Sequence, residues 1–292
     1  MTSDPHKRAL ESVAALRFPE LATSATHDAA LPARIAEGKA AAVLAGDEMQ
    51  AALYWQAEMI LAIQIGYVEA FRQLKAGEFY AAWCQLERCE IQLELLIKNF
   101  APLEGDEHRL GLIGRMIRRW QELFPYRVFF SPEILKKKIV CSICKGRITP
   151  RGNCGHVKGQ IYQGESCHHI IEEAEILSIS IVENPVQRYS VALFLGPDGT
   201  QVDHYNYGNV KFVADRATSA FHEWFSEVGT RTIATKLAEN LAAEGPCPCL
   251  SGKAFGACCK DAPTITVPHL QISFIGDEPD STLPKDELIL NG

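Results

Sequence analysis

The sequence predicts an α+β chain: an N-terminal helical bundle, a central β-rich domain and a short cysteine-rich module near the C-terminus. Three observations carry that prediction. Apolar residues recur at helical spacing from 28 to about 124. After Pro125 this spacing gives way to β-branched runs and Gly-rich turns. Eight of the ten cysteines fall into two tight clusters, Cys141, Cys144, Cys154, Cys167 and Cys247, Cys249, Cys258, Cys259.

Taken in order, residues 1–27 have weak periodicity and read as a flexible arm. Residues 28–125 read as the bundle, with helices over 36–45, 48–75, 78–100 and 106–124 separated by Gly77, Pro102 and Pro125, all ordinary helix stops. In the third helix Phe79, Ala82, Trp83, Leu86, Leu93 and Ile97 form the apolar stripe, with Glu87, Arg88 and Glu94 turned elsewhere. Residues 126–213 read as the β domain, with strand-like runs at 126–130, 176–182 and 189–195 and a turn at Gly196-Pro197-Asp198-Gly199. Residues 214–244 return to helix, 245–260 hold the second cysteine cluster, and 261–292 hold a strand-like run at 264–274 followed by an acidic tail. Gly111 and Gly114 suit a close helix contact better than a phosphate cradle.

Composition narrows the function classes. No apolar run reaches the about 18–20 residues that span a bilayer, since the best, 59–71, is interrupted by Gln64 and Glu69. The N-terminus leads into no apolar core of a secretory signal, so a cytoplasmic protein is expected. In a reducing compartment, cysteines one to three residues apart read as metal thiolates rather than disulfides. Cys84 and Cys89 stand apart and read as two core thiols. The whole chain carries −7, yet residues 108–160 hold twelve cations against Glu122 and Glu133. A basic segment in an acidic protein is a footprint for nucleic acid or an acidic partner.

The second cluster reads Pro246-Cys-Pro-Cys-Leu-Ser-Gly-Lys-Ala-Phe-Gly-Ala-Cys-Cys259. Two dithiol pairs, with Gly252 and Gly256 letting the chain fold back, supply the four ligands of tetrahedral zinc and leave no open position, so the site is structural. This run resembles the SEC-C motif, the small zinc module at the C-terminus of the translocase motor SecA. It matches that pattern at Cys247, Cys249, Cys258 and Cys259 and at Ser251, Gly252 and Lys253. It departs at Leu250, where the family has Gly, a change expected to strain the first turn. The resemblance covers some fourteen of 292 residues. It implies a metal and a protein-docking face, not a reaction.

In the first cluster, Cys141-Ser-Ile-Cys144-Lys-Gly146 has the form of a zinc knuckle. The remaining ligands come from Cys154, His156, Cys167, His168 and His169. A ribbon arrangement favours Cys141, Cys144, His156 and Cys167, with Cys154 as the competitor. Glu165 and His168 have Glu-x-x-His spacing, but such sites draw on carboxylates of neighbouring helices, and this one lies in a Gly-rich hairpin.

Arg115, Arg118 and Arg119 share one helix face, and with Lys136, Lys137 and Lys138 they outline a basic ridge beside the knuckle. Tyr126, Phe129 and Phe130 are candidates for stacking on bases, though core is the commoner use. Phosphate-loop, dinucleotide, nucleophile-elbow and zincin motifs are absent. The sequence therefore predicts a zinc-binding cytoplasmic adaptor, with two zinc ions per chain and a protein partner at the SEC-C module. A nucleic-acid-associated protein using residues 109–158 is the alternative, and an uncharacterised metalloenzyme comes third.

Overall fold

The computed structural model describes residues 30–100, 106 and 108–276. The arm expected over 1–27 and the acidic tail from 277 onward lie outside the described residues. Among the described residues, helices and small antiparallel sheets make an α+β chain. The chain divides into two compact units, 1–205 and 206–292.

The first unit opens with four helices, α1 (Leu31–Leu44), α2 (Glu48–Ala76), α3 (Phe79–Asn99) and α4 (Leu110–Leu123). Their boundaries follow from capping chemistry. The Asp47 carboxylate accepts the Gln50 N–H at 3.0 Å to start α2, and Gly77 ends it in the left-handed conformation (φ 78°) that glycine adopts without a Cβ clash. Asp106 accepts the Gly111 and Leu112 N–H groups, at 2.7 and 3.0 Å, to start α4. Tyr67, Ile60 and Ile63 of α2, Leu86 and Cys89 of α3, and Ile113, Met116 and Trp120 of α4 are fully enclosed. A Cβ on Gly114 would come within 2.8 Å of Leu93, so glycine there allows α4 to approach α3 closely.

Two side chains of α3 depart from the expected stripe. Ile97 is 54% exposed and Leu96 takes its place inside. Glu87, expected outside, is buried, because the loop after the β-ribbon folds back over it. There the Arg188 N–H donates to the Glu87 carboxylate (3.3 Å), its guanidinium donates to Glu90 and Gln121 (3.1 Å each), and its carbonyl accepts the Trp83 indole N–H (2.7 Å).

After α4 the chain forms a long antiparallel ribbon, β1 (Phe129–Cys141) on β5 (His169–Val182), paired from Phe129↔Val182 to Cys141↔His169 with register shifts after Glu133, Lys136 and Lys138. The short β2 (Arg147–Ile148) flanks it. Between the two strands lie two further two-residue strands, β3 (Ile161–Tyr162) and β4 (Glu165–Ser166), so residues 142–168 sit at the ribbon's tip. At the other end Tyr126 and Phe129 are buried with Trp83, at 4.9 and 6.4 Å between centroids. These rings are core and not stacking platforms. A hairpin of β6 (Phe194–Leu195) and β7 (Gln201–Val202) turns at Gly199, as the sequence suggests.

The second unit corrects the sequence reading. Residues 214–244 are not a helix: α5 is short (Gly208–Arg216), and β8 (Trp224–Ala234) follows. The segment contains Phe225, Val228, Thr230, Thr232 and Ile233, and pairing decides its state. β8 meets β9 (Thr264–Phe274) over eleven residue pairs, Trp224↔Phe274 to Ala234↔Thr264.

Candidate metal centres

The first cluster is built on the ribbon's tip. Cys141 ends β1, and the chain turns at once: the Cys141 N–H donates to Gly146 O and the Lys145 N–H to Cys141 O, both at 3.0 Å, with Lys145 left-handed (φ 59°). This knuckle aims backbone N–H groups at sulfur. The N–H of Cys144, then that of Ile143, draw the Cys141 thiol down to about 6, into the range where it is a thiolate at neutral pH. A Cβ on Gly146 would lie 3.2 Å from Cys144 Sγ and 3.4 Å from Cys154 Cβ, so the glycine makes room for both.

The donor atoms of Cys141, Cys144, Cys154 and His156 lie within 4.8 Å of one another. Cys167 lies outside this group of four, with its Sγ 3.8 Å from that of Cys141. The sequence favoured Cys167 over Cys154; the geometry brings Cys154 in beside His156 and keeps Cys167 at the edge. His156 Nδ1 is buried with no hydrogen-bond partner, as a ring nitrogen reserved for a metal would be. Glu165 and His168 do not form a second centre. Glu165 accepts from Lys39 (2.9 Å), and His168 is exposed, its Nδ1 3.2 Å from Ser166 O.

Residues far away in sequence hold this loop on the helices. Lys39 bridges Glu58 and Glu165, at 2.5 and 2.9 Å. Glu48 accepts the Gln163 N–H at 2.7 Å, and Asn99 Nδ2 donates to Gly159 O at 2.8 Å. Local patterning gives no sign of these, because each partner comes from a different helix.

The second cluster caps the β8–β9 hairpin. Sγ separations are 3.3 Å for Cys247–Cys249, 3.6 Å for Cys249–Cys258 and 3.6 Å for Cys258–Cys259, and all four sulfurs lie within 4.8 Å. With zinc–sulfur bonds of about 2.3 Å, two sulfurs on one tetrahedral ion stand about 3.8 Å apart, so the cage is already near the size of the ion. Ser251, whose hydroxyl is 3.2 Å from Cys258 Sγ, is the foremost cause that lowers the Cys249 thiol to about 6. The side chain of Cys247 foremost pushes Cys259 up to about 12, the pattern of thiols crowded together with one negative charge shared among them. Leu250 sits at φ 56°, the strain expected where the SEC-C pattern has Gly. The cluster is no appendage: Cys247 and Phe255 are buried with Ile233, Ala238, Ile265 and Val267 in a single core.

The basic ridge is partly neutralised. Lys137 pairs with Glu175 (2.5 Å) and Lys138 with Glu172 (2.7 Å) across the ribbon, while Lys136 is exposed. On α4, Arg115 and Arg118 are exposed and Arg119 donates to Met116 Sδ at 3.6 Å. Glu172 and Glu175 of β5 lie beyond the basic segment 108–160, and only strand pairing brings them alongside.

Both cysteine clusters fit zinc-binding modules, and no helix among the described residues is long and apolar enough to cross a membrane. No family model, no curated protein and no solved structure matches the chain.

Proposed function

We propose that this chain is a zinc-organised binding protein: it holds two structural zinc ions, and its SEC-C-like module docks a protein partner. The observation that supports the reading is the closure of both clusters. Each offers four donors mutually within 4.8 Å, so zinc held there has no position left for water or substrate. Such zinc supplies rigidity and a binding surface rather than a reaction. Around the second centre Leu250, Ser251, Lys253 and Lys260 are exposed and form the docking face. Seven thiols kept as metal donors suit a reducing, cytoplasmic compartment. The nucleic-acid reading ranks below this one, because Lys137 and Lys138 already have carboxylate partners.

The test is metal analysis joined to partner capture. Protein purified without added metal should carry two zinc ions per chain, and one or none refutes the assignment. A triple variant, Leu250→Ala with Lys253→Glu and Lys260→Glu, should keep both ions yet lose the proteins that co-purify with wild type. An unchanged set of co-purifying proteins moves the docking face elsewhere. Micromolar oligonucleotide binding that falls with salt, and that Arg115→Glu with Arg118→Glu abolishes, would install the nucleic-acid reading instead.

A further inference from the structure

The first cluster carries one donor more than zinc uses, and we infer that Cys167 is a reserve ligand. Zinc rests on Cys141, Cys144, Cys154 and His156, and Cys167 takes the fourth position when His156 is withdrawn. This deepens the zinc reading above and rests on it. Tetrahedral structural zinc takes four donors. His156 is the primary fourth ligand because the residue belongs to the group whose donors all lie within 4.8 Å, and its Nδ1 is buried with no hydrogen-bond partner. A ring nitrogen in that position is costly unless something accepts its lone pair.

Cys167 is outside that group but not far from it. Its Sγ is 3.8 Å from that of Cys141, the spacing of about 3.8 Å that two thiolates adopt on one tetrahedral zinc with bonds of about 2.3 Å. Nor is this a wandering side chain. Cys167 is 1% exposed, its N–H donates to Gln160 O and its carbonyl accepts the Gly159 N–H, each at 2.7 Å. The Cys141↔His169 pair fixes the register two residues later. The exchange therefore starts from a sulfur already beside Cys141, on a backbone held by two hydrogen bonds. The zinc–nitrogen bond to His156 breaks, a zinc–sulfur bond to Cys167 forms, the thiol proton passes to water, and the donor count stays at four.

Four full-length proteins test this: wild type, Cys167→Ser, His156→Ala and the double variant. Each is assayed for bound metal and, after cobalt substitution, for the sulfur-to-cobalt charge-transfer band, whose intensity scales with the number of thiolates. Wild type and Cys167→Ser should both hold two metals on seven thiolates, three at the first centre and four at the second. His156→Ala should hold two metals on eight, and the double variant one metal on four. Loss of a metal from Cys167→Ser overturns the inference by making Cys167 a primary ligand. So does a His156→Ala protein that loses a metal or fails to fold while Cys167→Ser keeps both. Fewer than two metals in wild type instead overturns the zinc reading itself, and this inference with it.

Discussion

Two residues carry costs that single substitutions should reveal. Leu250 occupies the left-handed region, φ 56°, with its side chain 66% exposed, so replacing it sacrifices little packing. A left-handed non-glycine residue costs about 1–2 kcal/mol, and the larger unfolded-state freedom of glycine takes back about 0.5–1 kcal/mol. Leu250→Gly should therefore stabilise the second unit by about 0.5–1 kcal/mol, read as a higher thermal midpoint at fixed zinc. A lower midpoint would mean that the leucine packs usefully. Glu87 carries the second cost. Burial, foremost, holds its carboxyl above the usual carboxylate range, with the Arg188 N–H and charge opposing. A carboxyl whose pKa is raised by folding favours the fold when protonated. Its contribution is greatest below the ordinary carboxylate pKa and is lost as pH rises through the raised value. Glu87→Gln keeps an acceptor for Arg188 without the charge, so its stability relative to wild type should rise between pH 4 and pH 7.5 in urea titrations. A constant difference across that range would refute the assignment.

At the level of elements, the helices and the cysteine spacings were legible in the sequence, and the long-range partners were not. Helical spacing and caps such as Asp47 and Gly77 are local, and the strand-like run at 264–274 matches β9. The reading failed at β8, whose state is decided by the eleven pairs it makes with β9 some forty residues on, and at Glu87, whose partner is Arg188. At the first centre the candidate ligands were all visible; which of Cys154 and Cys167 stands beside His156 depends on the path of the tip loop. The same pairing changes what truncation does. Ending the chain at Gly245 removes β9 along with Cys247, Phe255, Ile265 and Val267, which form one core with Ile233 and Ala238. Amides of β8 should then lose hydrogen-exchange protection while those of α2 and α3 keep theirs. Persisting protection in β8 would show that the hairpin is dispensable. Phe255→Ala should destabilise the same unit by about 3–5 kcal/mol, measured by denaturant unfolding.

For the molecule as a whole, the placement of the first metal loop at the far end of the β1–β5 ribbon has a kinetic consequence. Phe129 and Val182 lie at opposite ends of a long stretch of chain, and bringing them together from an unfolded chain means closing that whole loop before any pair rewards it. An ion that gathers Cys141, Cys144, Cys154 and His156 closes only a short loop first. From there each later pair, starting at Cys141↔His169, adds one step to an existing nucleus, so the ribbon zips from its tip back toward Trp83. Zinc present at the start of refolding should therefore speed formation of the ribbon, whereas zinc added afterwards should leave a slow phase set by the unaided search. Stopped-flow refolding under the two orders of addition separates these cases, and equal rates would mean that the ribbon assembles from its helical end, with the ion arriving last.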